Sequence, residues 1–480
     1  MYQEKNNEQL EFDNFYLPFS GKLNKENRWI KLSQLIPWDD IEKIYMEKFS
    51  PNHGAPAKPL RMALGSLLIK EKCGFTDEET VEQIKENPYL QYFIGMNEYS
   101  NKEPFEASMM VHFRKRLSSE TMSEINEMIT GVKREEKSDE KNNSDDEDPE
   151  PKNNGKLLVD ASCAPSDIRY PNDVSLLNEA RENTEKIIDR LCKVRGEKKP
   201  RTYRKIARKE FLRFIHAKKP DRKKVRRAIG KQLQYVGRNL KNIEKMADSL
   251  EILSRREYKN LLVIQELYRQ QKAMYDAKTN RIESRIVSIS QPHVRPIVRG
   301  KAGSPVEFGA KIEVSLVDGY AFIDNLSWEN FNESVSLKDQ IEKYKIRYGS
   351  YPESVHADKI FRTRANREFC KLKGIRLSGP PLGRPAAMSK EEKSQSLKDD
   401  RIRNAIEGKF GQGKRRFGLG LIMAKLRETS ETVIWVNILV MNLERRLAII
   451  FNYLLCRLIA VLKIILRINT DAFNMHPVIF

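Results

Sequence analysis

Residues 157–165, LLVDASCAP, read as a short apolar strand, Leu157–Val159, that ends on an acid, Asp160. Turn and cap residues follow Ser162: Pro165, Ser166, Asp167, Pro171, Asn172 and Asp173. In an α/β sheet, residues at the carboxyl ends of neighbouring strands converge on one edge, where ligands bind. The pattern recurs at Ser354-Val-His-Ala-Asp358, with a helical Arg362–Lys373 after it and a further short strand at Ile375–Leu377. Between the two acids, Val306–Val317 and Tyr320–Leu326 read as strands joined by Asp318-Gly319, a hairpin turn signal. These elements predict an α/β fold: a small mixed sheet flanked by helices, with a large helical insertion between its first and second strands.

A helix follows from about Lys390 to Phe410 and carries a third acid. Arg403 and Glu407 are four residues apart and share a helical face; Lys414, seven further on, returns to it. An ordinary i,i+4 ion pair accounts for Arg403 and Glu407 taken alone. Placed after two strand-terminal aspartates, Glu407 gains a second meaning. Two aspartates and a helical glutamate can bridge two divalent ions ~3.5–4 Å apart, the arrangement that two-metal phosphoryl transfer requires. Mg²⁺ suits such oxygen donors, with Mn²⁺ as a substitute. Arg403, Lys414 and Lys409 would take phosphate oxygens. Asp167, Asp173, Asp318 and Asp324 are rival acids that turn or cap duties explain, and His356 points to the same sheet face as Asp358. Gly408, Gly411 and Gly413 weaken a continuous helix and put Lys414 in a loop.

The chain of 480 residues has a formal net charge of +20, which calls for a polyanionic partner, nucleic acid before membrane surface. Between Lys193 and Lys245 stand 21 Lys and Arg against four acids, a local net of +17. Tyr203, Phe211, Phe214 and Tyr235 are interleaved, as in an amphipathic basic helical pair with one face packed and one on phosphate. Residues 1–132 read as helical over Trp38–Phe49, Lys58–Lys72, Thr76–Phe93 and Ser118–Ile129. Thr76-Asp-Glu-Glu79 has the form of a capping box. Lys58, Arg61, Lys70, Lys72, Arg114, Lys115 and Arg116 fit either a helix-turn-helix-like DNA-binding unit or a packing domain. Residues 133–155 form an acidic linker without large apolar residues, expected to be disordered. Val433–Met441 and Leu454–Ile465 are apolar, but Glu444, Arg445, Arg446, Arg457 and Lys463 interrupt them. Residues 431–480 are therefore expected as helices packed on the core, with no membrane span. Five scattered cysteines without a CxxC pair point to reduced thiols in a cytoplasmic protein, and against a zinc site.

In order and content, four segments resemble the bacterial insertion-sequence transposases of the DDE type: LLVDASCAPSDIRYPND (157–173), GSPVEFGAKIEVSLVDGYAFIDNLSWENFNE (303–333), HADKIFRTRANREFCKLKGIRLSGPPLGRP (356–385) and RNAIEGKFGQGKRRFGLG (403–420). Residues 53–96 are similar to the helical N-terminal domain of that group. The resemblance implies an RNase H-like catalytic domain built from 156–173 and 303–430, with 174–302 as a basic insertion. It implies that Asp160, Asp358 and Glu407 are the catalytic and metal-holding triad. It also implies that Arg403 and Lys414 belong to the family's Tyr-x2-Arg-x3-Glu-x6-Lys element, whose Tyr position holds Asp400 here. The implied activity is Mg²⁺-dependent cleavage and joining of double-stranded DNA at terminal inverted repeats, by a homodimer or larger assembly at the bacterial nucleoid. A non-catalytic DNA-binding regulator or decayed transposase is the alternative that Asp400 keeps open. A nuclease of RNA–DNA hybrids is disfavoured by the N-terminal unit.

Overall fold

The computed structural model describes residues 15–18, 21–47, 49, 56–132, 152–298, 306–379 and 389–466, the last six by backbone alone. The linker expected at 133–155, save its last four residues, lies outside the described residues, as do most of the Gly379–Pro385 loop and 467–480.

One mixed sheet organises the molecule. Its strands are β1 (Lys156–Pro165), β2 (Arg295–Val298), β3 (Val306–Val317), β4 (Tyr320–Ser327), β5 (Ser354–Ala357) and β6 (Arg376–Leu377). The order is β4-β3-β1-β5-β6, with β2 sharing the outer edge of β3 with β4. β1 pairs antiparallel with β3 and parallel with β5, and β6 is parallel to β5. This is the RNase H-like arrangement, with helices on both faces. Asp318 and Gly319 both adopt positive φ, 50° and 79°, as a two-residue hairpin turn requires. β2 had no clear sequence signal. β1 is longer than the three apolar residues suggest: it runs through Asp160 to Pro165 because β3 pairs it along its length. Only the pairing with β5 stops at Val159.

Among the described residues, seven helices precede the sheet: α1 (Arg28–Gln34), α2 (Trp38–Met46), α3 (Leu60–Cys73), α4 (Asp77–Glu86), α5 (Pro88–Phe93), α6 (Met109–Arg116) and α7 (Ser119–Thr130). The run Thr76–Phe93 splits at Asn87-Pro88, because proline cannot continue a helix but can start one. The Thr76 hydroxyl accepts from Glu79 N at 3.0 Å, yet the Glu79 carboxylate accepts from Gln83 at 2.9 Å instead of reaching back.

The insertion contributes α8 (Asp173–Arg195), α9 (Arg204–Ile215), α10 (Arg222–Glu244) and α11 (Arg255–Asp276). α8, α10 and α11 build their own apolar clusters around Leu177, Val236 and Ile264. α9 buries only Ala207. Between Arg213 and Lys224 the basic side chains are exposed, and the single acid there, Asp221, is occupied in capping α10.

The remaining helices are α12 (Leu337–Tyr348), α13 (Arg364–Leu372), α14 (Lys390–Arg416) and α15 (Arg427–Leu466). The two C-terminal apolar helices expected from the charges at 444–446 are one helix. Each charge is partnered: Glu444 pairs with Lys72, Arg445 lies 5.5 Å from the Tyr320 ring, and Arg446 donates to Leu35 O and Ile129 O at 3.1 and 2.5 Å. Val433–Leu447 is the packed half; Ile449, Phe451, Leu454 and Leu458 are exposed. Among the described residues no helix is long and apolar enough to cross a membrane.

α15 fuses the N-terminal helices to the sheet. Trp29, Leu64, Phe93 and Ile129 share one apolar cluster with Leu158, Ile312 and Val314 of the sheet and Ile434–Met441 of α15. Asn442 reinforces the join, accepting from Ala321 N at 2.9 Å and donating to Ala321 O and Asn126 at 2.8 Å each. Most of the seven basic residues named above for this unit are engaged within the fold. Lys58 donates to Pro104 O, and Arg61 to Phe93 O, Tyr92 O and Ser33. Lys70 donates to Phe75 O, Arg114 makes a two-pronged bond to Asp77, and Arg116 stacks on Phe49. Only Lys115 of the seven is exposed, so this set favours the packing role over a DNA-reading face.

Candidate active site

The register of β1 and β5 pairs Val159 with Ala357, so Asp160 and Asp358 are the next residues on adjacent parallel strands. Asp358 is still extended (φ −69°, ψ 163°). Strand side chains alternate, so both carboxylates leave the sheet on the face that carries Leu158 and His356. They line a single cleft of about 400 Å³. Each is oriented by its successor: Asp160 Oδ1 accepts from Ala161 N at 2.8 Å, and Asp358 Oδ1 from Lys359 N at 2.7 Å.

α14 lies over this face and is held at two points. Asp399 stands 3.7 Å from His356 Nδ1 at one end, and Lys414 Nζ 3.9 Å from Glu307 at the other. Glu407 sits between them on the helix. Its carboxylate is half exposed and bound by Arg403 at 3.1 Å, and it is not part of the cleft wall. Among the described residues no three His, Cys, Asp or Glu side chains stand close enough to hold a metal ion. The structure brings two of the three acids together and holds the third in the i,i+4 ion pair.

α14 runs unbroken through Gly408, Gly411 and Gly413 to Arg416, so Lys414 is helical and not in a loop. Packing overrides propensity: a Cβ on Gly413 would stand 2.9 Å from Met441 Sδ and 3.2 Å from Leu419, so glycine lets α14 approach α15. Lys409 corrects another expectation. It turns from the shared face toward α15, 3.5 Å from Met441 O, and burial beside Arg445 pushes its ammonium down to about 8. It faces the protein core, away from solvent phosphate. Because the unfolded lysine keeps its proton to about 10.5, the unfolded state binds more protons between about 8 and 10.5, and stability rises with pH there. Lys409→Met is expected to raise Tm at pH 7 by about 1–3 °C, with the advantage shrinking as pH climbs through that window. Lys72, also lowered to about 8, titrates in both proteins, so the difference isolates Lys409. A pH-independent difference in thermal unfolding would contradict this placement.

His356 is fully buried, 3.1 Å from Ser354 Oγ, with its imidazole lowered by burial; it is a packed core histidine beneath the cleft. Asp400 is exposed, while its neighbour Asp399 turns inward to a two-pronged bond with Arg376 at 2.8 and 3.0 Å. Of the rival acids, Asp173 holds Arg285 and Asp324 holds Arg347. A further part of the cleft lining was not anticipated. Lys311, on β3, has a nearly buried side chain that pairs with Glu333 at 2.7 Å and donates to Phe331 O at 2.7 Å. It thereby fixes the Asn330–Glu333 segment beside both aspartates. The available signal was Lys311 and Glu313 two residues apart in a mostly apolar strand.

The family model described as Transposase DDE domain matches residues 355–444, a span holding Asp358, Arg403, Glu407 and Lys414. The chain carries a transposase DDE domain. A second model, Transposase domain (DUF772), matches residues 18–116. The two matched spans meet in space, where α3 packs on α15 and Lys72 pairs with Glu444. The chain is also similar to the uncharacterized protein ORF8 in the nfe locus of Rhizobium meliloti, 26% identical over 205 residues, or 41% of this chain and 89% of that protein. No solved structure matches it.

Proposed function

We propose that this transposase binds the terminal inverted repeats of its own insertion sequence, cleaves each end to release a 3′-OH, and joins that hydroxyl to target DNA. The observation that supports this best is the pairing of Val159 with Ala357, which sets Asp160 and Asp358 side by side on one cleft. With Glu407 they would offer carboxylate oxygens alone, a donor set that fits Mg²⁺ or Mn²⁺. Bound there, two such ions would activate the attacking oxygen and stabilise the leaving 3′ oxygen. Ala161 N and Lys359 N hold the aspartates in orientation. Arg403 acts as a latch: a DNA phosphate competes for its guanidinium and frees Glu407 to turn toward the aspartates. Lys414 takes a further phosphate oxygen.

The exposed basic run Arg213–Lys224 at the α9–α10 end of the insertion would carry the DNA backbone, since the cations of α3 and α6 other than Lys115 are engaged internally. Catalysis on two ends implies a dimer or larger assembly on DNA, in a bacterial cytoplasm. The chain segments expected as domains serve here as a division of labour around one shared core. Asp400, the feature that favoured a non-catalytic regulator, is exposed and leaves the cleft-facing residues unchanged. The test uses DNA fragments that flank this reading frame. Gel retardation is expected to show at least ~10³-fold preference over unrelated duplex at physiological salt, and added Mg²⁺ to cut the bound fragment. Equal binding to every duplex, with no cutting, would contradict the proposal.

A further inference from the structure

The second half of α15 leaves the body of the protein with its apolar side chains uncovered. Ten consecutive residues, 451–460, are exposed, and eight of them are apolar; Asn452 and Arg457 are the exceptions. Phe451, Tyr453, Leu454, Leu455, Leu458 and Ile459 are each 40–61% exposed. A helix that is apolar on most of its sides is one that other protein covers. Apolar patches larger than a few hundred Å² mark interaction sites on soluble proteins.

The spacing specifies the kind of cover. Leu447, Phe451, Leu454 and Leu458 recur at steps of four, three and four. The sequence keeps this rhythm at Val461 and Ile465, and the backbone stays helical to Leu466. Six such positions span ~27 Å of helix. A repeat of 3.5 residues is the seam of a coiled coil, whose partner is a helix with the same repeat. The seam grows out of the core: Leu447, its first member, is 7% exposed and packs in the cluster that joins α15 to the sheet. At its base the Phe451 ring lies 4.4 Å from Lys31 of α1.

Among the described residues, the helix that matches this seam in length and repeat is α15 itself. α8, α10 and α11 use their apolar faces against one another. α9 exposes Ile206, Leu212 and Ile215, but it is a basic helix of 12 residues without the repeat. A two-fold axis sets a stripe against its own copy. We propose that α15 pairs through Phe451, Leu454 and Leu458 with α15 of a second copy of this chain, and that the pair forms without DNA. The proposal goes beyond the transposition reading. It would supply the two copies that cutting two ends requires, yet it stands on this helix alone.

Sedimentation equilibrium of the full chain without DNA, over a wide range of concentrations, tests it. The mass is expected to rise with concentration toward twice the chain's 56.0 kDa. Leu458→Asp, at an exposed position, should hold the mass at one chain, because it buries an unpaired carboxylate in the seam. Asn452→Asp adds the same charge outside the stripe and should associate as the wild type does. Unchanged circular dichroism shows that both variants keep the fold. A wild-type chain that stays at one chain mass would overturn the proposal, whether its own tail covers the helix or phosphatidylserine vesicles bind it. Association that survives Leu458→Asp, or falls equally in both variants, would overturn it too, since the contact then lies elsewhere or is unspecific. None of these outcomes touches the paired aspartates, whose cleavage assay stands or falls separately.

Discussion

Asp358→Ala is expected to lower metal-dependent strand cleavage by ~10³-fold or more while DNA binding and Tm stay close to wild type. The magnitude follows from removing one group that stabilises charge only in the transition state; losing a single such group costs ~10²–10³, and groups acting as a unit cost more. The stability cost is small because Asp358 is exposed and its structural duty is to cap a three-residue turn at Lys359–Phe361. Asp358→Asn sharpens the test. Asparagine keeps the acceptor for Lys359 N and removes the charge. Both variants should lose cleavage equally, measured by single-turnover gel assays, with duplex affinity followed in parallel. A variant that cuts at more than a tenth of the wild-type rate would remove Asp358 from the catalytic set.

The largest stability effect is expected at Arg347. This residue of α12 is 7% exposed and bonds Asp324 of β4 at 2.9 Å and Glu127 of α7 at 3.2 Å. It also lies 4.7 Å from the Phe322 ring. Arg347→Ala takes the cation from the buried Asp324 carboxylate and one ionic partner from Glu127. Breaking a buried pair from one side costs ~3–5 kcal/mol, chiefly through the stranded partner charge. The loss should appear as a lower urea midpoint and as earlier proteolysis within α1–α7, because the network joins that unit to the sheet. Replacing all three residues with apolar ones should recover most of it. A change below ~1 kcal/mol in Arg347→Ala would mean that the carboxylates find other partners.

The parts of the fold legible in the sequence were those fixed by local periodicity and turn chemistry. Asp318-Gly319 has one favoured conformation between two strands, and the hairpin formed there. The apolar runs ahead of Asp160 and Asp358 marked strands, and parallel pairing put the acids side by side. What was missed depended on partners distant in the chain. Nothing local to Arg61 or Arg114 tells that each is absorbed by carbonyls or by Asp77, so their charge reads as surface. Glu444, Arg445 and Arg446 look like a helix break until Lys72, Tyr320 and the carbonyls of Leu35 and Ile129 meet them. Lys409 and Lys414 differ by five residues, and that angle alone decides which faces Met441 and which faces Glu307. Lys311 was overlooked because a single lysine in a strand ordinarily marks the solvent side; here it holds the cleft wall through Glu333.

The most direct measurement is end cleavage by the wild-type chain on a plasmid carrying this reading frame with its flanking DNA. Products would be mapped at nucleotide resolution in Mg²⁺, in Mn²⁺ and in chelator. The structure-based reading predicts 3′-OH ends at the element boundaries in either metal and none in chelator, with Asp160→Asn, Asp358→Asn and Glu407→Gln each inactive on DNA they still bind. Boundary cleavage that persists in chelator, or survives loss of any of these three carboxylates, would contradict it.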